Sequence, residues 1–391
     1  ASRPDLVVAN VGLTADWERL RDEWNSLLGR SAGDSIFLTH EWISTCWRHF
    51  GTGRRLFLLV VRDESETLRA IAPRQIVTCR GRFGILRCLE FIGSGSAVNP
   101  DHLDLIVERG WEAVAVPVLV DAIVERGHEW DLIRLANVSE GSVIAREFAR
   151  RADEHRLRHT ASIAAICPYI TLPVSYERYV AEMPRTLRSE LRSDRRKVDV
   201  EPRFTLIDYA ARGDTDRGMD ELARLHQQRS QHMGRGGNFA KSDYAAFHRE
   251  LAQIVASRGW LVLRVLSFDG VGVAANYGFR YKRTWYGYQM GLDPSFRKIS
   301  LGTVLIGRII EDLIERGVDE VDMLRGRSRW KYRWASGARR DERHVFHRRC
   351  AIGWWFYLSD LLAGRPGLVA KKMLPQRWFD AAYRRFGHPD D

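Results

Sequence analysis

In the segment from residue 286 to residue 317, residue types that could bind an anion stand at the start of a predicted helix. It reads YGYQMGLDPSFRKISLGTVLIGRIIEDLIERG. The N–H groups at a helix N-terminus are unpaired and carry partial positive charge, so they attract phosphate groups. The residues at this point could add charge, donate hydrogen bonds or allow close approach: Arg297, Lys298, Ser300, Leu301, Gly302 and Thr303. The alternative is an ordinary helix cap with two solvated cations.

The elements that must position this turn follow an order that occurs twice. Leu305, Ile309 and Leu313 recur at helical spacing, which predicts that one face of the helix is buried and its start is fixed. Periodicity predicts the order β-α-α-β-β-β-α-β in both halves of the chain. Asp269 and Gly270 predict a short hairpin loop in the second half. We therefore predict an α/β (α+β) fold with two tandem domains, each a mixed, mostly antiparallel sheet flanked by helices.

The length of 391 residues also favours two domains over one. We place an N-terminal domain at 1–173 and a second domain at 203–349. Between them, residues 174–202 read as a very basic helical connector, and residues 350–391 read as a helical C-terminal tail. The connector is interpreted either as a solvated helix face or as the wall of an anion-binding groove.

Composition limits the class of protein and its partners. A hydrophobic content of 45% with 28% charged residues is typical of a soluble globular chain. The net charge of +11 favours anionic partners such as cofactor phosphates, nucleic acid, acidic polysaccharide or anionic lipid. The chain has five Cys and no CxxC, so we predict no disulfide framework, no metal site and a cytoplasmic location. We recognise no signal peptide, and the apolar run 350–364 is too short to span a bilayer.

Three antiparallel strands, a basic turn, a helix and a further strand resemble the pyrophosphate-binding half of the GNAT acetyltransferase fold. The family's turn has the form Q/R-x-x-G-x-G/A, and here Ser300 replaces the first glycine. Segments over roughly 15–340 resemble more closely the CelD-like, cellulose-biosynthesis-associated acetyltransferases, which are distant relatives of the Fem-type aminoacyl transferases. These segments are IAPRQIV (71–77), WDLIRLANV (130–138), PYITLPVSYERYV (168–180), AANYGFRYKRTWYGYQMGLDP (274–294), RKISLGTVLIGRIIEDLIERG (297–317) and VDMLRGRSRWKYRW (321–334).

The resemblance implies an acyl-CoA-dependent N- or O-acyltransferase, with acetyl-CoA as the expected co-substrate. The implied acceptor is a saccharide or an amine linked to exopolysaccharide or cell-envelope synthesis. The turn residues named above would hold the pyrophosphate of the donor. The strand before the turn would hold the thioester arm or its oxyanion through the main chain of Gln289, Met290, Gly291 and Leu292.

The same resemblance indicates residues for the chemical step. Lys331 aligns with a lysine that is associated with the acyl-transfer centre of the Fem-type relatives, and Asp322 opens a D-x-L-x-G pattern similar to the family's. Tyr286 and Tyr288 alternate on one strand face and could donate a proton to the leaving group. For each of these residues a structural role is the alternative.

The acceptor side is expected near the helix pair that follows the first strand of the second half. Its candidates are His226, Arg229, Asn238, Asn276 and Arg325, each of which could instead be a packing or solvent-exposed residue. The N-terminal domain lacks a basic turn, so we interpret it as a structural or acceptor-binding partner. Its polar cluster Asp101, His102 and Asp104 is too short a pattern to support a metal site.

Two other functions stay open at this point. An aminoacyl-tRNA-dependent transferase would use the basic connector from Arg185 to Lys197, which however lacks the interleaved aromatic residues that stack on RNA bases. A non-catalytic binding protein that keeps the fold is the second alternative. We predict no DNA partner. The aromatic and basic residues of the tail could lie at an anionic membrane surface, at the inner face of the membrane, or pack on the second domain.

Overall fold

A computed structural model describes residues 6–12, 14–81, 84–296, 298–326 and 328–348. Contacts divide the described residues into two compact units, the first with residues up to 165 and 340–348 and the second with residues 166–339. The strands are β1 Leu6–Val11, β2 Arg55–Asp63, β3 Leu68–Gly81, β4 Gly84–Phe91, β5 Ile106–Val107, β6 Leu132–Ser139, β7 Arg158–Thr171, β8 Phe204–Asp208, β9 Leu261–Phe268, β10 Val271–Tyr281, β11 Thr284–Leu292, β12 Glu320–Asp322 and β13 Gly337–His347.

The α-helices connect and cover these strands. They are α1 Thr14–Arg19, α2 Arg21–Arg30, α3 His40–Phe50, α4 Glu112–Glu125, α5 Val143–Glu154, α6 Tyr176–Glu182, α7 Arg185–Val200, α8 Tyr209–Arg212, α9 Thr215–His232, α10 Ser242–Ser257, α11 Leu301–Glu315 and α12 Arg329–Trp334. Short 3-10 helices cover Ile36–Leu38, Gly127–Glu129 and Asn238–Ala240. No helix within the described ranges is long and apolar enough to cross a membrane.

The first unit is built on a sheet with strand order β1-β2-β3-β4-β6-β13, and β5 pairs with β3. All the paired neighbours are antiparallel except β4 and β6. Large aromatic side chains fill its core, and Trp24 and Trp42 are fully buried. The Trp24 indole donates a hydrogen bond of 2.8 Å to the carbonyl of Leu38, so this buried polar atom is satisfied.

The polar cluster of the first unit holds loops in place. His102 Nδ1 lies 2.9 Å from Asp341 Oδ1, and the His102 N–H donates to Asp341 Oδ2. The Ser142 hydroxyl donates a 2.6 Å hydrogen bond to Asp104, and burial raises the pKa of this carboxyl group to about 7. These contacts explain why polar residues occupy buried positions there.

The second unit has the strand order β7-β12-β11-β10-β9-β8. β11 pairs with β12 in parallel, and its other neighbour β10 is antiparallel. Helices α7 and α11 share one apolar core with side chains of these strands, among them Trp285 and Val321. Helices α9 and α10 cover the side chains that point to the other face of the sheet, including Tyr277. The Tyr277 hydroxyl lies 3.3 Å from His248 Nδ1.

The prediction of mixed, mostly antiparallel sheets flanked by helices is confirmed. The predicted basic connector contains a real helix, α7, and its Leu187, Leu191 and Val198 lie in the core of the second unit. Sequence analysis missed α12 and β13. Of β13, Gly337–His347, the residues from Arg340 onward belong to the first unit. The predicted tail 350–391 lies outside the described residues.

Candidate functional site

A cleft opens in the second unit where two parallel strands stop pairing. β11 and β12 pair over only three residues on each strand, ending at Tyr286 and Asp322. The residues that follow line a cavity of about 330 Å³, which is in the size range of small-ligand sites. The lining residues are Ile170, His226, Arg229, Ser230, Met233, Asn276, Trp285, Gly287, Tyr288, Gln289, Met290, Ile306, Val321, Met323, Arg325, Ser328, Trp330 and Lys331.

A β-bulge in β11 shapes one wall of the cleft. The register between β10 and β11 shifts at this point and leaves Tyr288 without an opposite residue on β10. A bulge takes the extra residue out of the hydrogen-bond ladder and bends the strand. As a result, four consecutive residues, 287–290, line the cleft, where a regular strand would present every second residue.

Asn276 brings a buried polar atom to the cleft. Its side chain lies on β10, the residue is 3% exposed, and it pairs across the sheet with Met290. Its Oδ1 has no hydrogen-bond partner among the described residues. Because an unsatisfied buried acceptor is costly, a hydrogen-bond donor on a bound ligand is the expected partner.

His226 and Arg229 lie one helical turn apart on α9 and both line the cleft. The imidazole packs edge-on against the ring of Phe239, with the ring centroids 5.3 Å apart. Burial of the ring, with the charge of Arg229 nearby, lowers the pKa of His226 below its ordinary value of 6.5. The Nδ1 atom has no hydrogen-bond partner among the described residues. The ring is therefore neutral at pH 7 and can accept a proton.

Lys331 on α12 also lines the cleft. Its Nζ donates hydrogen bonds to the main-chain carbonyls of Met323 (2.6 Å), Arg325 (2.8 Å) and, more weakly, Leu324 (3.4 Å). These carbonyl dipoles favour the charged ammonium. The ammonium thus fixes the turn after β12 and places a positive charge at the cleft.

The structure places Asp322 and Tyr286 outside the set of residues that line the cleft. Asp322 is fully buried, and its Oδ1 accepts a hydrogen bond of 2.8 Å from the Leu324 N–H. Tyr286 is also buried and lies opposite Asp322 in the parallel register. Of the four residues predicted for the chemical step, Lys331 and Tyr288 line the cleft.

Carboxylates from α7 surround the start of α11. The Ser300 N–H donates a 2.9 Å hydrogen bond to Asp194 Oδ2, and the Thr303 hydroxyl donates to Glu190. Although burial opposes ionisation, hydrogen bonds from Arg333 and Ser300 hold the pKa of Glu190 below its usual value. Negative side chains at a helix N-terminus are stabilising, and here they already bind the Ser300 N–H and the Thr303 hydroxyl.

Two predicted donor-site glycines serve packing. A Cβ at Gly302 would lie 3.2 Å from the sulfur of Met290, so this glycine lets α11 approach β11. A Cβ at Gly291 would lie 2.6 Å from the backbone nitrogen of His226, so this one lets α9 approach β11. Both glycines are needed for close contact between elements of the unit itself.

The remaining predicted residues divide between the cleft and other positions. Gln289, Met290 and Arg325 line the cleft. Leu292 packs against the apolar core, Leu301 is buried, and Lys298 and Asn238 are exposed. Arg297 lies outside the described residues.

Sequence reasoning missed several residues that line the cleft. Ile306 projects from α11, Met323 follows β12, and Ser328 and Trp330 come from the start of α12. Apolar and small polar residues of this kind occur throughout a chain, so their types carry no signal of a site. Only the end of strand pairing at Asp322 could have pointed to them.

Residues 185–332 match the Acetyltransferase (GNAT) domain family. The matched range begins with α7, ends within α12, and contains every predicted donor and catalytic residue. The predicted GNAT superfamily is therefore supported for this range, and the matched residues include most of those that line the cleft.

Solved structures with low sequence identity share the fold. FemX is similar with a TM-score of 0.58 at 9% identity, over 86% of this chain and 96% of that chain. L-PGS from Bacillus licheniformis gives a TM-score of 0.50 at 12% identity, over 90% of this chain and 98% of that one. A protein of unknown function from Bacteroides thetaiotaomicron gives 0.51 at 12% identity, over 88% and 100%. No curated protein matches the sequence of the chain.

Proposed function

We propose that the second unit is an acyltransferase that moves an activated acyl group to an amine or hydroxyl in the cleft. The observation that carries this proposal is the arrangement of His226, Tyr288, Asn276 and Lys331 around one cavity at the end of the β11–β12 pairing. The match of residues 185–332 to the GNAT acetyltransferase domain supports it.

The proposed chemistry follows from the state of each group. Neutral His226 accepts the proton that the acceptor loses as it attacks the acyl carbon. The ammonium of Lys331 stabilises the negative charge that grows on the acyl oxygen. Tyr288 donates a proton to the leaving group. Asn276 orients a donor group of the substrate through its Oδ1, which has no partner among the described residues.

An acyl-CoA, with acetyl-CoA first, is the donor that the resemblance implies. Its acyl end suits the cleft, which holds apolar side chains such as Ile306 and Val321. Its diphosphate does not suit the start of α11, because Asp194 and Glu190 already occupy that point. No step of the proposed chemistry therefore depends on a diphosphate at this turn.

An aminoacyl ester donor, as in a Fem-type aminoacyl-tRNA-dependent transferase, is the second candidate. The exposed residues Arg185, Arg192 and Arg196 favour it, because they present positive charge along α7. A polyanionic donor would be attracted to such a face. The likeness of the fold to FemX is consistent with this candidate but does not select it.

We further propose that the chain belongs to the CelD-like branch and that its acceptor is a saccharide or an amine in exopolysaccharide or cell-envelope synthesis. The first unit would then have a structural or acceptor-binding role. We also propose a cytoplasmic location, with contact of the tail with an anionic membrane surface. A non-catalytic binding protein that keeps the fold is the remaining alternative.

Acyl transfer by the full chain tests the proposal. Acetyl-CoA and the acetyl thioester of N-acetylcysteamine serve as donors, and glucosamine, which offers an amine and hydroxyl groups, serves as the acceptor. Products are followed by mass spectrometry against a mixture without the protein. We expect acylated product from at least the short thioester, and loss of that product in Lys331→Ala. A folded protein that yields no product from any of these pairs contradicts the proposal and favours a non-catalytic role.

A further inference from the structure

Helix α7 brings two carboxylates to the start of α11, where the GNAT fold is expected to hold the diphosphate of its donor. Asp194 is 6% exposed, and its Oδ2 accepts the Ser300 N–H at 2.9 Å. Glu190 accepts from the Thr303 hydroxyl at 3.2 Å. A phosphate oxygen at this turn would compete for the same donors and would meet two like charges.

The carboxylates are held in place by further contacts. Lys197 Nζ lies 2.6 Å from the second oxygen of Asp194, and Arg333 lies 2.6 Å from the second oxygen of Glu190. In each carboxylate, one oxygen therefore accepts a hydrogen bond from the start of α11 and the other forms an ion pair with a cation. The negative charges of Asp194 and Glu190 are thus paired with cations within the unit.

The backbone of α7 cannot easily move away from α11. Leu187, Leu191 and Val198 of α7 are buried in the core of the second unit. A Cβ at Gly307 of α11 would lie 2.6 Å from the side chain of Leu191, so the two helices are in close contact at that point. The two carboxylates are therefore carried by a packed helix pair and not by a surface loop.

From these contacts we infer that Asp194 and Glu190 determine the donor class by excluding a diphosphate from the start of α11. The inference rests on the proposed acyltransferase function and narrows it. The unit accepts an activated acyl ester or thioester through the cleft, and the anionic part of the donor is held away from this turn. Coenzyme A itself is then a poor ligand for the native chain.

Calorimetric titration of the full chain with coenzyme A tests the inference without any need for turnover. We expect no saturable binding up to millimolar coenzyme A in the native chain. The double variant Asp194→Ala, Glu190→Gln should bind coenzyme A saturably, with a Kd at least tenfold below the millimolar limit of the native titration. Asp199→Asn removes one negative charge from the exposed side of the same helix and serves as the matched control, with no gain expected.

Hydrogen exchange at the Ser300 amide covers the case in which the double variant fails to fold. In the native chain this amide should be protected without ligand, and coenzyme A should not change its exchange rate. Saturable binding by the native chain with added protection of this amide overturns the inference. A folded double variant with no gain over Asp199→Asn does so as well.

Turnover of the short acetyl thioester, which has no diphosphate, separates this inference from the proposed function. Transfer from that thioester by a chain that does not bind coenzyme A supports both. Coenzyme A binding together with transfer overturns the inference alone. Absence of both binding and transfer contradicts the proposed function, while the exclusion of the diphosphate still holds.

Discussion

Asp322 and Lys331 both bind the backbone of the turn after β12, Asp322 as a hydrogen-bond acceptor and Lys331 as a hydrogen-bond donor. Asp322 Oδ1 accepts the N–H of Leu324, and Lys331 Nζ donates to the carbonyls on either side, of Met323 and Arg325. Leu324 has a φ of 58°, a conformation that is rare for a branched residue. The two side chains together stabilise a strained turn at the edge of the cleft.

The position of the two groups predicts different effects of their removal. Lys331→Ala should lower kcat by about 10²–10³-fold, the range for loss of an oxyanion-stabilising group. Asp322→Asn, which keeps an acceptor for the Leu324 N–H, should lower kcat by less than about tenfold and mainly reduce the melting temperature. Steady-state kinetics with thermal unfolding of both variants checks this. Equal losses of kcat in two stable variants would instead assign Asp322 a direct role in the chemical step.

The lowered pKa of His226 predicts the pH dependence of activity. The base acts when deprotonated, so kcat/KM should rise with pH through an apparent pKa below 6.5 and level off near neutral pH. The charge of Arg229 contributes to the lowering, so Arg229→Gln should raise the pKa of His226 and move the acidic limb to higher pH. Arg217→Gln, on the exposed side of α9, is the control and should leave the limb in place. An unchanged limb in both variants, or in His226→Gln, would rule out His226 as the base.

The exposed cations of α7 predict a salt-dependent interaction if the donor is aminoacyl-tRNA. Affinity for tRNA should fall steeply with salt, and Arg192→Gln with Arg196→Gln should reduce the slope of log K against log salt by about 1 for each cation. Filter binding over a range of salt concentrations measures this slope. Arg316→Gln, at the residue that caps the C-terminus of α11, should not alter it. A flat dependence in the native chain would leave the α7 cations as a solvated face.

Gly291 predicts a packing defect that reaches the cleft. A methyl group there must push α9 away from β11, because the nearest atom belongs to the backbone of His226. Gly291→Ala should therefore destabilise the unit by about 1–3 kcal/mol, and it should raise KM as His226 and Arg229 shift. Gly236, which has open space around its Cβ position, gives the matched control Gly236→Ala. Equal melting temperatures and KM values for the two variants would contradict this account.

The sequence predicted the elements of the second unit well because their patterns are regular. The helix of Leu305, Ile309 and Leu313 and the hairpin at Asp269 and Gly270 follow local rules, and both occur as predicted. β13 was missed because its buried positions include Asp341, which is satisfied by a residue far away in sequence. Periodicity detects apolar alternation and is blind to polar groups that are buried with a partner.

The site was only partly predictable for a related reason. The turn at Ser300 reads as an anion site when the helix is considered alone, and only tertiary structure shows that Asp194 occupies it. Asp194 stands in a strongly basic segment, so nothing in the local pattern distinguishes it from an ordinary solvated acid. The bulge at Tyr288 also depends on the register of a neighbouring strand, which local sequence does not fix.

The close approach of α9 to β11 at Gly291 also bears on how substrate range could change during evolution. Backbone contacts join these two elements, so the wall that carries His226 cannot shift without disturbing the sheet. The other segment that lines the cleft, residues 323–326 and 328–331, is held by side-chain hydrogen bonds such as those of Lys331. Divergence in acceptor size among homologous chains is therefore expected to concentrate in residues 323–331, whereas the α9 wall should accept only exchanges of side chain.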